Sequence, residues 1–144
     1  MGLCLNDPAV LVDSSAWVEF DRATQSSVDK RLTALIADGG RVAVTEPIIM
    51  EILAGARNAR REEDLRRLLG RFELLRFDAG IDFDGAVRIY RSCRAKGITP
   101  RGLIDCLIAS VAIRTGAAVL AYDRDLAAIA DVMALRLDEA SLMA

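Results

Sequence analysis

Short apolar runs alternate with longer segments of helical periodicity along the whole chain. A short apolar run bounded by turn residues is typical of a buried strand, and apolar residues spaced three and four apart are typical of a helix. Strands that alternate with helices predict an α/β protein, here a three-layer α/β/α sandwich around a central, mostly parallel sheet of four to five strands. The predicted strands are 9–13, 41–45, 72–77 and 118–123, with 133–137 as an edge strand.

The segments between these strands are predicted to form helices with identifiable ends. Ser14 and Ser15 are expected to cap the first helix, and Thr45 is expected to cap the third, which has Pro47 in its first turn. Gly116 follows the last apolar turn of a later helix, a position where glycine commonly ends a helix. The predicted helices are 16–20, 26–38, 48–56, 61–70, 82–97, 103–116 and 124–130.

The chain contains no histidine, and this absence limits the chemistry that it can perform. A Ser-His-Asp triad, a histidine acid–base pair and a histidine-ligated zinc ion are all excluded. Cys4, Cys93 and Cys106 are widely spaced and form no C-x-x-C pair, so neither a disulfide framework nor a thiolate zinc site is predicted. Catalysis would therefore depend on carboxylates, hydroxyls, arginines, thiols or a metal ion.

The length of 144 residues suits one domain spanning 1–144. The N-terminus has no basic segment followed by a long apolar stretch, so no secretory signal is predicted. No apolar run approaches the roughly 18 residues that a membrane-spanning helix requires. We therefore expect a cytoplasmic protein with no membrane association.

Five acidic residues lie where a parallel sheet gathers its functional groups. Asp13 and Asp123 each follow a predicted strand, and ligands bind beyond the carboxyl ends of such strands; either residue could instead cap the following helix. Asp105 and Glu51 lie within apolar segments, where a charge is costly unless it is paired or binds a metal. The alternatives are a first-turn acid for Asp105 and a surface position for Glu51. Asp125 is predicted to lie at the rim of the same site.

Carboxylates gathered in one pocket repel each other. One pair about 4 Å apart costs roughly 4 kcal/mol at an effective dielectric constant near 20. Such a cluster is stable only if it takes up protons or binds a cation, and oxygen ligands favour the hard cations Mg²⁺ and Mn²⁺. These ions support the hydrolysis of phosphodiesters, so the lack of histidine is compatible with a nuclease.

Four blocks of sequence resemble the motifs of PIN-domain proteins, and specifically of the VapC toxins. The blocks are LVDSSAW at 11–17, TEPIIMEILAG at 45–55, GLIDCLIA at 102–109 and AYDRDL at 121–126. Each block alone is weak, whereas their order and spacing together are specific. The resemblance covers nearly the whole chain apart from residues 1–8, which are extra before the usual start of the family's first strand.

The resemblance implies a PIN fold and an endoribonuclease that depends on Mg²⁺ or Mn²⁺. The catalytic acids that it implies are Asp13, Glu51, Asp105 and Asp123. Asp13, Asp105 and Asp123 would bind the metal. Ser15 matches a small hydroxyl residue that supports the first acid, and Asp125 matches an acid often found beside the fourth.

The resemblance also implies a VapB-type antitoxin as inhibitor and a second copy of the chain as partner. The helix near 47–56 agrees with a homodimer because Ile48, Ile49, Ile52 and Leu53 make it apolar over much of its circumference.

RNA would be the substrate, and arginine binds phosphates with two parallel hydrogen bonds. Any single arginine more simply belongs to a solvated helix face, so none is assigned to the site. The candidate arginines are Arg57, Arg60, Arg61, Arg66, Arg67, Arg88, Arg91 and Arg94.

Three alternatives to a toxin remain open on the sequence alone. A PIN nuclease of RNA processing would share the same site, although the short chain without an extra domain favours the toxin. A phosphate-accepting receiver domain also has an acidic pocket, but it would carry a lysine after a late strand, and neither Lys30 nor Lys96 lies there. A non-catalytic binding module is disfavoured because all four acids are retained.

Overall fold

The structure is a computed structural model that describes residues 7–143. Residues 1–6, with Cys4 and most of the N-terminal extension noted above, lie outside the described residues, as does residue 144. The strands are β1 (Val10–Val12), β2 (Val42–Val44), β3 (Glu73–Leu74) and β4 (Ala118–Leu120). The helices are α1 (Ser14–Asp21), α2 (Ser27–Ala37), α3 (Glu46–Ala54), α4 (Ala59–Leu69), α5 (Ala79–Ala95), α6 (Leu103–Thr115) and α7 (Arg124–Val132).

The four strands form one parallel sheet in the order β3-β2-β1-β4. Val10 of β1 lies opposite Val42 on one side and Ala118 on the other. Every residue of β1 and β2 is buried, although successive side chains of a strand point to opposite faces. Helices therefore cover both faces of the sheet, which confirms the predicted three-layer α/β/α sandwich.

The edge strand predicted at 133–137 is wrong. The chain after α7 lies beside β4 but pairs with it only through isolated bridges. These bridges join Val119 to Leu137 and Tyr122 to Leu142. A turn at 138–141, closed by a hydrogen bond from the N–H of Ser141 to the carbonyl of Asp138 at 2.9 Å, interrupts the pairing before a strand can form.

At the opposite edge, β3 is shorter than the predicted 72–77. Its two residues, Glu73 and Leu74, are exposed, and Arg41 forms an ion pair with Glu73 at 2.8 Å. Pairing with β2 ends where the N–H of Leu75 donates to the carbonyl of Val44 at 2.8 Å. As an edge strand, β3 can pair only with β2. The residues after Leu75 are therefore not part of a strand, although their apolar pattern predicted one.

The core is built from aliphatic side chains, since aromatic residues make up only 5% of the chain. The largest fully buried side chains include Leu11, Leu32, Ile48, Ile108, Leu120, Leu126 and Ile129. Cys93 and Cys106 are buried free thiols, and burial raises the pKa of Cys106 to about 11. Among the described helices, none is long and apolar enough to cross a membrane.

Helices α5 and α6 pack around a buried ion pair. Asp82 is fully buried and accepts hydrogen bonds from Arg114 Nη2 and Ser110 Oγ, both at 2.8 Å. Burial would raise the pKa of Asp82, but the hydrogen bonds from Arg114, from the N–H of Asp78 and from Ser110 hold it below its usual range. A Cβ at Gly85 would lie 2.2 Å from Ser110 Oγ, so this close helix contact requires glycine.

Candidate active site

The carboxyl edge of the sheet gathers acids from four different elements. Asp13 follows β1 directly, and Asp123 follows β4 after a short extended segment. The N–H of Asp13 donates to the carbonyl of Leu120 at the end of β4, at 3.0 Å. Glu51 reaches the same edge from α3, and Asp105 reaches it from the first turn of α6.

A cleft of about 450 Å³ opens at this edge, and we call it the acidic cleft. Every residue that the sequence nominated for the site lines it. These residues are Asp13, Ser15, Glu51, Asp105, Asp123 and Asp125. Ser14 and Arg101 line it too, although the sequence reasoning did not place them in the site.

Asp13 uses its two carboxylate oxygens differently. Oδ2 accepts hydrogen bonds from the backbone N–H of Ser15 at 3.0 Å and from its hydroxyl at 2.5 Å. Asp13 is therefore the N-cap of α1, and the prediction that Ser14 and Ser15 cap this helix is wrong. Oδ1 is buried and has no hydrogen-bond partner within residues 7–143. The Ser15 hydroxyl in turn accepts a hydrogen bond from the N–H of Tyr122 at 2.9 Å, which ties the start of α1 to the segment after β4.

Asp105, Asp123 and Asp125 bring one carboxylate oxygen each within 4.8 Å of one another. Oδ1 of Asp123 caps α7 by accepting from the N–H of Asp125 at 2.8 Å and of Leu126 at 3.0 Å. Asp123 therefore caps α7, as one of its two interpretations predicted, and also lines the acidic cleft. Asp13, which the sequence predicted as the third ligand beside Asp105 and Asp123, lies in the same cleft but outside this group.

Burial and like charge raise the pKa of the acids in the cleft. Burial raises the pKa of Asp105 to about 7, and the charges of Asp123 and Asp13 add to the effect. Burial also raises the pKa of Asp13 to about 6, against the opposing hydrogen bonds from Ser15. A raised pKa means that the ionised carboxylate is destabilised in the folded protein, here by burial and by the neighbouring negative charges. A bound cation would offset that destabilisation.

Glu51 is half-buried on the side of the cleft formed by α3. Its Oε1 accepts a hydrogen bond from the Ser14 hydroxyl at 3.1 Å. Burial raises the pKa of Glu51, the Ser14 hydrogen bond lowers it, and the charge of Asp123 raises it further. The two serines of the DSS motif thus support different acids, Ser14 the second and Ser15 the first.

Arg101 is the charged residue of the cleft that the sequence did not predict. Its Nε donates to Oδ2 of Asp125 at 2.7 Å, and its Nη2 lies 3.8 Å from Oδ2 of Asp123. Its side chain is 60% exposed. The available signal was its position in the T-P-R-G loop, directly before the helix that contains Asp105.

The donor set of the acidic cleft fits a hard divalent cation. The ionisable side chains that line it are carboxylates, apart from Arg101 at its rim. Carboxylate oxygens are the ligands that Mg²⁺ and Mn²⁺ prefer. The unpartnered Oδ1 of Asp13 is also buried, and a buried polar atom without a hydrogen bond is costly unless another ligand satisfies it. The residues available to hold an ion are Asp13, Asp105, Asp123 and Asp125.

A larger, mainly apolar groove of about 670 Å³ adjoins the acidic cleft between α1, α3 and α4. Ser14 and Glu51 line both cavities, so the groove leads directly to the acids. Trp17 and Phe20 of α1 form part of its wall, and their rings pack edge to face. Its lining also includes Ile52, Leu65, Leu68, Arg57 and Arg61.

Comparison with known proteins identifies relatives over most of the chain. Residues 10–132 match the family described as PIN domain. Over 128 residues the chain is 42% identical to Ribonuclease VapC11 of Mycobacterium tuberculosis, an alignment that covers 88% of this chain and 96% of the relative. The same values hold for a VapC ribonuclease of Mycobacterium bovis.

Solved structures share the fold at lower sequence identity. VapBC2 from Rickettsia felis, bound to a promoter DNA fragment, has a TM-score of 0.72 at 20% identity and covers 90% of this chain and 97% of that chain. VapBC from Salmonella typhimurium, bound to DNA, has a TM-score of 0.70 at 19% identity, with coverage of 92% and 98%. VapC20 from Mycobacterium tuberculosis, described as a sarcin-ricin loop cleaving toxin, has a TM-score of 0.62 at 18% identity, with coverage of 89% and 99%.

Proposed function

Because this chain belongs to the PIN-domain family, and within it to the VapC ribonucleases, we propose that it is a metal-dependent endoribonuclease toxin that hydrolyses RNA phosphodiester bonds. The observation that supports this most directly is the convergence of four acids from β1, α3, α6 and β4 on one cleft. These acids are Asp13, Glu51, Asp105 and Asp123.

We assign Asp13, Asp105 and Asp123 to the metal, with Asp125 completing the close group of oxygens. A Mg²⁺ or Mn²⁺ ion bound there would supply Lewis-acid activation of water and neutralise charge on the phosphodiester oxygens. Ser15 holds Oδ2 of Asp13, which leaves Oδ1 as the oxygen available to the ion.

We assign Glu51 the role of proton acceptor for the attacking water. It lies in the cleft, and the Ser14 hydroxyl fixes one of its oxygens at 3.1 Å, so the other is available to water. Its raised pKa makes it a stronger base than an exposed glutamate, and a general base is most effective when its pKa lies near the working pH.

The antitoxin partner is part of the same proposal. The relatives are VapC ribonucleases, and two of the solved structures of the same fold are VapBC assemblies. The apolar groove beside Glu51 offers a VapB-type antitoxin a surface that continues into the acidic cleft. An apolar segment in the groove followed by a basic residue in the cleft would match both surfaces.

A homodimer also belongs to the proposal. Ile48 of α3 is fully buried, whereas Ile49 and Leu53 are partly exposed and Met50 is 53% exposed. This leaves an apolar face of α3 available to a second copy. A monomer mass by light scattering at tens of micromolar would contradict the homodimer.

The test of the proposed function compares Asp105→Asn with the wild type and with Asp131→Asn, an exposed acid on α7 outside the cleft. Purified proteins are incubated with total RNA and Mn²⁺, and the new 5′ ends are sequenced. Asp105→Asn should reduce the cleavage rate more than about 100-fold. Loss of a residue that merely supports a metal ligand typically costs about 10–100-fold, and loss of the ligand itself should cost more. Asp131→Asn should cleave like the wild type. Cleavage at the wild-type rate by Asp105→Asn would refute the assignment.

A further inference from the structure

A third cavity, which we call the α5 groove, adjoins the acidic cleft on the side away from the apolar groove. It has a volume of about 440 Å³ and lies between α5 and the turn before α6. Arg101 and Gly102 line both the α5 groove and the acidic cleft, so the two cavities are continuous. The side chains that matter for its chemistry are Tyr90, Arg91, Arg94, Arg101 and Leu103.

The arginines of α4 and α5 differ in their partners. On α4, Arg61, Arg66 and Arg67 form ion pairs with neighbouring carboxylates, and Arg60 alone forms none among the described residues. On α5, Arg91 and Arg94 are exposed and form no ion pair within the part of the chain that the structure describes. The α5 guanidinium groups are therefore available to an anion, and arginine is well suited to phosphate.

The α5 groove combines this charge with an aromatic ring. The guanidinium carbon of Arg94 lies 6.0 Å from the ring centroid of Tyr90, and both side chains line the groove. Val87 and Leu103, which are 52% and 55% exposed, extend the apolar part of its wall. A ring beside a row of arginines is the arrangement that binds unpaired nucleic-acid bases, because the base stacks while the backbone meets positive charge.

We propose that the α5 groove binds a single-stranded nucleotide of the RNA, adjacent to the phosphodiester that is cleaved. The base packs against Tyr90, and the phosphates contact Arg91 and Arg94. Arg101, bonded to Asp125 at 2.7 Å, offsets the negative charge of the acids where the strand passes from the groove to the cleft. This inference rests on the proposed function. It specifies that the RNA strand reaches the acids from the side of the α5 groove.

A second copy of this chain is the competing occupant. In a two-fold symmetric contact each surface meets itself, so the groove arginines of the two copies would face one another. Like charges brought together across an interface are unfavourable. The charge of the groove therefore favours a polyanion.

The test measures binding without cleavage. All variants carry Asp105→Asn, and the ligand is a fluorescein-labelled, mixed-sequence single-stranded RNA of about 12 nucleotides, a length within the range that single-strand sites cover. The test variant is Arg91→Gln with Arg94→Gln. The matched control is Arg88→Gln, an exposed arginine on the same helix that does not line the groove.

The double variant should bind at least about tenfold more weakly. Its slope of log K against log salt, which is negative, should decrease in magnitude by about 1.4, at roughly 0.7 for each phosphate contact of a single strand. Tyr90→Leu should weaken binding about fivefold or more through lost stacking and leave that slope unchanged. Arg88→Gln should change affinity less than about twofold. The positions of the two arginines and the control are exposed, so circular dichroism should show an unchanged fold.

Each contrary outcome has its own meaning. Equal affinities for the double variant and Arg88→Gln, while the wild type cleaves RNA with Mn²⁺, would overturn the groove assignment alone. A smaller mass by light scattering in the double variant, with RNA affinity retained, would make the groove an interface between copies. No RNA cleavage by the wild type would overturn the proposed function on which the inference rests.

Discussion

The hydroxyl of Ser15 donates a hydrogen bond to Oδ2 of Asp13 at 2.5 Å and accepts one from the N–H of Tyr122 at 2.9 Å. One small side chain thus links the first acid to the segment that leads from β4 to Asp123. The bond occupies Oδ2, and the buried Oδ1 of Asp13 is left without a partner among the described residues. Ser15 therefore acts as a positioning residue for the oxygen that we assign to the metal.

Ser15→Ala should move the pH dependence of cleavage to higher pH. The Ser15 hydrogen bonds lower the pKa of Asp13, which is already raised to about 6 by burial, so losing the hydroxyl raises it further. The N–H of Tyr122 also loses its acceptor, which should cost about 1–3 kcal/mol in the free energy of unfolding. Ser27→Ala is the comparison, because Ser27 is exposed and its hydroxyl donates to the carbonyl of Ala140, outside the acidic cleft. Rate profiles that coincide for wild type and Ser15→Ala would exclude this role.

Stability without a divalent cation should fall as the pH rises from about 5.5 to 8, the range in which the raised carboxyls titrate. The chain has no histidine, so Asp13 and Asp105, with pKa values raised to about 6 and 7, dominate this window. The folded protein then binds more protons than the unfolded chain, and its stability decreases with increasing pH. In EDTA the Tm should be higher at the lower pH. Asp105→Asn should reduce the difference in Tm between the two pH values, and Asp131→Asn should leave it unchanged. A wild-type Tm that does not depend on pH would contradict this prediction.

Metal binding should stabilise the wild type through the same acids. A cation that binds only the folded state contributes about 2.7 kcal/mol at a hundredfold excess over its Kd, which corresponds to a Tm increase of roughly 5–10 °C for a chain of this size. Millimolar Mn²⁺ should produce this shift in the wild type and much less in a variant with both Asp13→Asn and Asp105→Asn. Equal shifts in the two proteins would place the ion elsewhere.

Two physical signals in the sequence predicted the order of elements and the acids of the cleft, whereas Ser15 was predicted only from the family resemblance. Acids that directly follow apolar runs, such as Asp13, must emerge at the carboxyl edge of a parallel sheet, whatever the details of packing. Asp105 was recognisable because a charge in an apolar helix needs a partner. These inferences depend on periodicity and on the cost of burying charge, and both can be read from one chain.

Features that depend on two distant segments could not be predicted in this way. Arg101 belongs to the site because a turn brings it against Asp125, and nothing in the local pattern specifies that partner. The ion pair between Arg61 and Asp21 likewise joins two distant segments. The pairs of Arg66 and Arg67 with Glu62 and Glu63, in contrast, are i,i+4 pairs within α4. The segment 133–137 has an apolar pattern typical of a strand, yet a turn limits its pairing to isolated bridges.

Gly85→Ala should destabilise the protein although alanine is the better helix former. Replacing a helical glycine with alanine normally gains up to about 1 kcal/mol, but here the new Cβ would lie 2.2 Å from Ser110 Oγ. Overpacking of this kind costs about 1–3 kcal/mol and would also disturb the hydrogen bond from Ser110 to Asp82. Urea unfolding of Gly85→Ala, Ser110→Ala and the double variant forms a cycle, in which Ser110→Ala should relieve part of the Gly85→Ala loss. Strictly additive losses would show that the two side chains do not clash.

The last prediction concerns how the proposed VapB-type antitoxin inhibits RNA cleavage. Arg101 already shows that the cleft binds a guanidinium group, since its Nε lies 2.7 Å from Oδ2 of Asp125. A basic residue of the partner that enters the cleft would form similar charge-assisted bonds with the remaining acids and exclude the metal. Replacing that residue with Ala should restore cleavage by the complex even if the two proteins remain bound through the apolar groove.

Competition between ion and antitoxin provides the corresponding measurement. Both would occupy the carboxylates of Asp13, Asp105 and Asp123, whereas NaCl acts on the complex only by general screening. Raising Mg²⁺ should therefore restore RNA cleavage by the complex more effectively than NaCl at the same ionic strength. The control is a complex whose antitoxin carries the Ala substitution, in which Mg²⁺ should lose this advantage over NaCl. If the two salts relieve inhibition equally in the unmodified complex, the antitoxin acts by blocking the path of the RNA and not by occupying the acids.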